Sequence, residues 1–159
     1  MNSPAVPTDP TVHIRRAVGA DADALTALTQ RSRAYEGRYR AILEGYAITA
    51  AQVARDACHA AFDEDGGLLG YYSLVHDRVA GDAELDLLFV DDAAQGRGVG
   101  ALLFAHMRKT ARALGAHRVR IVSHPPAEPF YLRMGAVRVG EQPPRGRVAW
   151  ARPLLELVP

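Results

Sequence analysis

The segment Gln95-Gly-Arg-Gly-Val-Gly100 concentrates the residue types most suited to holding a ligand. It follows the apolar run Leu85 to Val90 and precedes a stretch with helical apolar spacing. Glycines at such a junction let a ligand approach the backbone, and the first N–H groups of a helix have no partner within it. With the positive end of the helix dipole they make an anion site, and phosphate is the natural guest. The same glycines would equally shape a tight strand-to-helix turn that binds nothing. A P-loop needs Gly-Lys-Ser/Thr at the helix start, whereas Val99 follows Gly98. Gly96, Gly98 and Ala101 meet the dinucleotide pattern literally. However, five residues, Asp91–Gln95, separate the strand from its first glycine, and no Asp or Glu occurs between Ala101 and Ala127. Both phosphate-binding patterns fail.

Other reactive side chains are sparse. Cys58 is the single cysteine, so an intrachain disulfide and a cysteine-rich zinc site are both excluded. A buried structural role suits it best. His13, His59, His76 and His117 show no metal-ligand spacing, and no metal is expected. His106 falls on an apolar helix face and reads as a core histidine; His124 follows a strand.

Positioning these residues requires a mixed α/β frame. Thr11 to Ala17 is strand-like, and Asp21 can cap a helix carrying Leu25, Leu28, Ser32 and Tyr35. A short helix is expected around Tyr39–Leu43, and Thr49-Ala-Ala-Gln52 opens another by a capping-box pattern. Cys58–Phe62 and Leu68–Val75 form a hairpin around Asp63–Gly67, followed by a strand over Glu84–Val90. Strict alternation puts Glu84, Asp86 and Leu88 on one face, and Leu85, Leu87 and Phe89 on the other. The helix after the glycines sets Val99, Leu102, Leu103, His106, Met107, Thr110, Ala111 and Leu114 on one side, and Gly115 ends it. Strands at His117–Val122, Ala136–Gly140 and Val148–Val158, with a helix from Pro125 to Met134, complete the chain. Met1 to Pro10 carries three prolines and reads as a disordered tail before a single domain over 11–159.

Composition bounds the function. The 159 residues carry 19 Lys+Arg against 18 Asp+Glu, a net charge of +1 that speaks against a nucleic-acid or membrane partner. No apolar run approaches the ~20 residues of a membrane span, and the start lacks the basic and apolar regions of a signal peptide. A cytoplasmic protein is expected.

The stretch Leu85-Asp-Leu-Leu-Phe-Val-Asp-Asp-Ala-Ala-Gln-Gly-Arg-Gly-Val-Gly-Ala-Leu-Leu resembles the acetyl-CoA-binding segment of the GCN5-related N-acetyltransferase (GNAT) superfamily. Gln95, Gly98 and Gly100 match its Gln/Arg-x-x-Gly-x-Gly/Ala hallmark. Pro129-Phe-Tyr-Leu-Arg-Met-Gly-Ala136 is similar to the second signature, Phe-Tyr-x-x-x-Gly-Phe, with Ala136 in place of the last Phe. The resemblance implies a mixed, mostly antiparallel sheet whose two central parallel strands, 84–90 and 117–123, splay apart around the pantetheine arm. It implies acetyl-CoA as co-substrate, held by Leu88, Phe89 and Val90 along the strand and by Gln95, Gly96, Arg97, Gly98, Val99 and Gly100 in the loop. An N–H near Phe89 or Val90 would bind the thioester oxygen.

The resemblance further implies direct transfer to a primary amine of a small molecule or protein, with Tyr131 as general acid and Glu84 at the position of a general base. Each has a plainer role open to it: Tyr131 as helix-to-sheet packing, Glu84 as a solvated strand start. Pro126 stands where many relatives have an Asn that bonds the pantetheine. The acceptor pocket would lie near 31–48 and 141–147, with Tyr35 and Tyr39 as candidate substrate contacts. Arg31, Arg33, Arg38 and Arg40 would form a cationic rim that favours an amine bearing a carboxylate or phosphate. Relatives of this kind commonly form homodimers. The competing reading is a non-catalytic CoA-binding sensor domain.

Overall fold

The computed structural model describes residues 11–159; the expected tail at 1–10 lies outside them. Seven strands form one open sheet in the order β1-β2-β3-β4-β5-β7-β6. They are β1 (His13–Arg16), β2 (Ala57–Phe62), β3 (Leu68–Asp77), β4 (Asp82–Val90), β5 (Val119–Val122), β6 (Val137–Gln142) and β7 (Arg152–Leu157). Every pairing is antiparallel except β4 with β5. This is the mixed sheet with a central parallel pair that the sequence led us to expect. Among the described residues, no helix is long and apolar enough to cross a membrane.

Four α-helices cover the two faces. Helices α1 (Ala22–Gln30) and α2 (Ala50–Arg55) pack on one side, with Leu25, Leu28 and Val53 buried against Tyr71 and Phe89. Helix α3 (Val99–Ala113) packs on the other, sending Val99, Leu103, Met107 and Ala111 into Leu74, Leu85, Ile121 and Leu155. Helix α4 (Glu128–Arg133) closes the same side. The sheet is thus buried on both faces, which accounts for the near-continuous burial of β3.

Three local expectations are corrected. Helix α1 stops at Gln30 and does not reach Tyr35. Ser32 takes an extended backbone and its hydroxyl accepts from the Ala34 N–H, which opens a separate 3-10 turn. Asp21 does not cap α1; it accepts from the Val18 N–H and pairs with Arg15 at 2.8 Å, tying β1 to the helix start. On α3, Leu102 is exposed and Phe104 is buried, so the apolar stripe is turned toward α4, where Phe104 meets the rings of Phe130 and Tyr131.

A fourth correction falls on β4. Ser73 pairs with Leu87 while Leu74 pairs with Leu85, so Asp86 is an extra residue on β4. Such a bulge resets the alternation. Leu85 therefore faces the α3 core, whereas Leu87 and Phe89 face the α1 core, and Leu88 joins the α3 side.

Candidate functional site

The parallel pair β4/β5 is joined only at Ala83 with Val119 and Glu84 with Arg120. Beyond that point the strands diverge. The gap is a cavity of about 810 Å³, walled by residues 85–90 of β4 on one side and by Ile121, Val122 and His124 on the other. One end opens on the glycine loop and the other on the 3-10 turns after α1 and the start of β7.

The glycine end is built of main chain. Gly96 and Gly98 both take left-handed conformations, at φ of 75° and 77°, which favour glycine. Gly98 is the residue before α3, and the first backbone bond into the helix is from the Leu102 N–H to the Gly98 carbonyl at 3.1 Å. The N–H groups from Val99 to Ala101 have no partner among the described residues and stand at the helix start as an anion cradle. A Cβ on Gly100 would meet the Phe130 ring at 3.4 Å, so this glycine lets α3 approach α4. The Gln95 side chain donates to the Val90 carbonyl at 3.1 Å and ties the loop to the end of β4. These open donors lead into the 810 Å³ cavity and suit a phosphate-bearing ligand.

Along β4, the Asp91 N–H donates to the Leu69 carbonyl at 2.8 Å. By antiparallel alternation the Phe89 N–H also points to β3, and the N–H groups of Leu88 and Val90 turn to the gap. Tyr131 lies across from them on α4. It is buried and lines the cavity, and its hydroxyl makes no hydrogen bond among the described residues. Burial holds this phenol well above its ordinary pKa, hence protonated at neutral pH.

Carboxylates behave differently across the bulge. Glu84 is exposed, lies where β4 and β5 are still paired, and does not line the cavity. Asp86 is exposed as well but does line it, and its carboxyl is raised above the usual range by desolvation, then by the nearby charges of Glu84 and Asp56.

The far end is built of side chains. His124 stacks on Tyr35 with ring centres 3.9 Å apart, and Tyr35 stacks on Phe89 at 5.4 Å. Tyr39 stands edge-on to His124 and Trp150 behind this stack. The His124 Nε2–H donates to the Ala34 carbonyl, which fixes the neutral tautomer and leaves Nδ1 buried without a partner. Burial lowers its pKa and raises that of Tyr35 to about 12.

The cavity thus brings together Tyr131, Leu88, Phe89, Val90, Gln95, Gly96, Gly98, Val99, Gly100 and Tyr35, but not Glu84, Arg97 or Tyr39. Of the expected cationic rim, Arg31 pairs with Asp91 at 2.8 Å and Arg33 with Glu36 at 3.9 Å, Arg40 donates to the Gln30 amide oxygen at 3.0 Å, and Arg38 lies against Tyr39 with no carboxylate partner among the described residues. Sequence reasoning missed Asp86 as a cavity residue because the bulge is invisible to alternation. It missed Trp150 and Arg152 because no motif marks them. No cluster of three or more His, Cys, Asp or Glu that could hold a metal occurs among the described residues.

Residues 41–150 match the acetyltransferase (GNAT) domain family. No curated protein matches the chain. Among solved structures, a GCN5-related N-acetyltransferase from Rhodopseudomonas palustris is similar, with a TM-score of 0.74 and 20% identity over 98% of this chain and 99% of that one. The ribosomal-protein-S18-alanine N-acetyltransferase from Escherichia coli gives 0.70 and 16% over 93% and 94%. An N-acetylglutamate synthase from Neisseria gonorrhoeae, solved with coenzyme A and N-acetyl-glutamate, gives 0.67 and 24% over 92% of this chain and 34% of that one. At these identities the likeness is one of fold.

Proposed function

The chain belongs to the GNAT acetyltransferase family, and from that premise we propose that it transfers an acetyl group from acetyl-CoA directly to a primary amine. The observation that carries this reading is the continuity of the cavity. Open N–H donors at Val99 to Ala101 lead into the splayed β4/β5 gap, and Tyr131 stands inside it. The loop N–H groups would hold the pyrophosphate, and the β4 and β5 walls the pantetheine arm. The Val90 N–H, turned to the gap, would bind the thioester oxygen as charge develops on it.

The amine nitrogen bonds to the carbonyl carbon as the C–S bond breaks. The buried Tyr131 hydroxyl is the proton donor beside the departing thiolate. Asp86, which lines the cavity and whose carboxyl is raised above the usual range, takes the place expected of Glu84 as proton acceptor for the ammonium. Cys58 has no part in the transfer: it is buried, and desolvation pushes its thiol up to about 11, so a thiolate nucleophile is disfavoured.

The testing experiment measures acetyl-CoA binding by calorimetry and then thiol release across a panel of primary amines. Binding with thiol release supports the reading. Binding with no release from any amine supports the sensor alternative.

A further inference from the structure

The acceptor end of the cavity holds a cation that the protein itself does not neutralise. Arg152, the first residue of β7, lines the cavity. Its Nε is buried without a partner, and its guanidinium enters none of the hydrogen bonds or ion pairs among the described residues. It is close enough to Tyr35 to favour the phenolate against burial. Two residues earlier, Trp150 also lines the cavity; it is 7% exposed, and its indole N–H is buried with no acceptor. Buried donors are nearly always satisfied, and an orphan costs free energy unless something supplies the missing acceptor. The single carboxylate in the described cavity wall, Asp86, feels Glu84, Asp56 and Arg55 rather than Arg152.

Building on the acetyl-transfer reading, we propose that Arg152, with Trp150 beside it, is a carboxylate-binding subsite, so that the amine acetylated is one that carries a carboxylate, of the amino-acid class. A guanidinium fork matches the two oxygens of a planar carboxylate. At this end one half-buried cation with a neutral indole N–H balances one negative charge; Arg133, the other arginine of the cavity wall, is exposed on α4. A phosphate monoester would call for a second cation at this end, and Arg31, Arg33, Arg38 and Arg40 do not line the cavity. Asp86 on β4 and Arg152 on β7 then offer one anion and one cation, the complement of an ammonium and a carboxylate. The aromatic wall of Tyr35, His124 and Trp150 lies beside them.

The test compares each proteinogenic α-amino acid with its decarboxylated amine, reading thiol release with wild type, Arg152→Met, Arg152→Lys and Trp150→Phe. The proposal expects at least one amino acid to exceed its amine by about 100-fold in kcat/KM, the strength of a buried, charge-assisted pair. Arg152→Met should collapse that ratio, Arg152→Lys should restore part of it, and Trp150→Phe should lower it by about 10-fold. The KM for acetyl-CoA should stay within about twofold throughout, as expected of a residue that touches only the acceptor. A thermal melt of each variant separates loss of the subsite from loss of the fold, and Arg152→Lys, which keeps the charge and most of the bulk, carries the test if Arg152→Met fails to fold. Turnover of plain amines with no carboxylate preference overturns the proposal and leaves the acetyl-transfer reading standing. A raised KM for acetyl-CoA in the Arg152 variants also overturns it, by assigning Arg152 to the cofactor. Absence of acetyl-CoA binding by wild type overturns the acetyl-transfer reading itself and the subsite with it.

Discussion

The two ends of the cavity are made of different materials. Around Gln95 to Ala101 the wall is main chain: left-handed glycines and helix N–H groups that any phosphate can use. Around Tyr35, His124, Trp150 and Arg152 it is side chain, drawn from segments more than a hundred residues apart. A wall of backbone depends on conformation and so tolerates few residues at a few positions. A wall of side chains depends on what each residue carries and is free to change with the substrate. On the proposed reading, the first suits a constant partner and the second a variable one.

The contrast predicts opposite responses to substitution. The largest effect is expected at Gly98, where φ is 77° and no atom crowds an added Cβ. Gly98→Val should therefore act through backbone strain alone, weakening acetyl-CoA binding by about 100-fold in calorimetry. Gly98→Asn, which tolerates the left-handed region, should stay within about 10-fold of wild type. Equal losses in both variants would show that side-chain bulk decides.

Next comes Tyr131→Phe, which leaves the ring packed and removes the hydroxyl. It should lower kcat by about 100-fold while the KM for acetyl-CoA moves less than about threefold. An unchanged kcat would remove Tyr131 from proton donation.

A third test sets the two β4 carboxylates against each other. Asp86→Asn should lower kcat by about 10-fold or more and abolish its fall at acid pH, whereas Glu84→Gln should leave kcat within about twofold. The sign follows from the role: the acceptor works ionised, and a carboxyl raised above its ordinary value loses activity as the pH drops through that raised value. The opposite ranking would return the proton transfer to Glu84.

The smallest effect lies away from the cavity and guards the third test. His59 stacks on Tyr72 under α3, and burial, with His106 nearby, lowers its pKa to about 4. Between its ordinary 6.5 and that value the unfolded chain binds a proton that the folded chain does not, so stability falls on acidification across this window. The half-buried ring is partly screened, and Tm should drop by about 2–4 °C from pH 7 to pH 5. His59→Gln should flatten this drop and leave the acid limb of kcat in place.

Much of the cofactor end was legible in the sequence because glycine is the residue that φ near 77° favours, and its spacing survives as a motif. The element order was equally readable from apolar period. What alternation could not reveal was the bulge at Asp86, since one inserted residue reverses every later side chain on β4. Helix α1 was read too long because Leu25 and Leu28 keep the helical period that Ser32 then ends with its own hydroxyl. Arg152 and Trp150 gave no signal at all. Their meaning comes from buried N–H donors left without an acceptor among the described residues, a property that a list of residues does not contain.

The acetyl-transfer proposal requires above all that the main-chain end hold acetyl-CoA. Calorimetric titration of acetyl-CoA into wild type and into Gly98→Val, at matched protein fold by circular dichroism, tests it. Saturable one-to-one binding by wild type, lost in the variant, is the expected result. No binding by wild type, or equal binding by both, would mean that the glycine loop is only a turn.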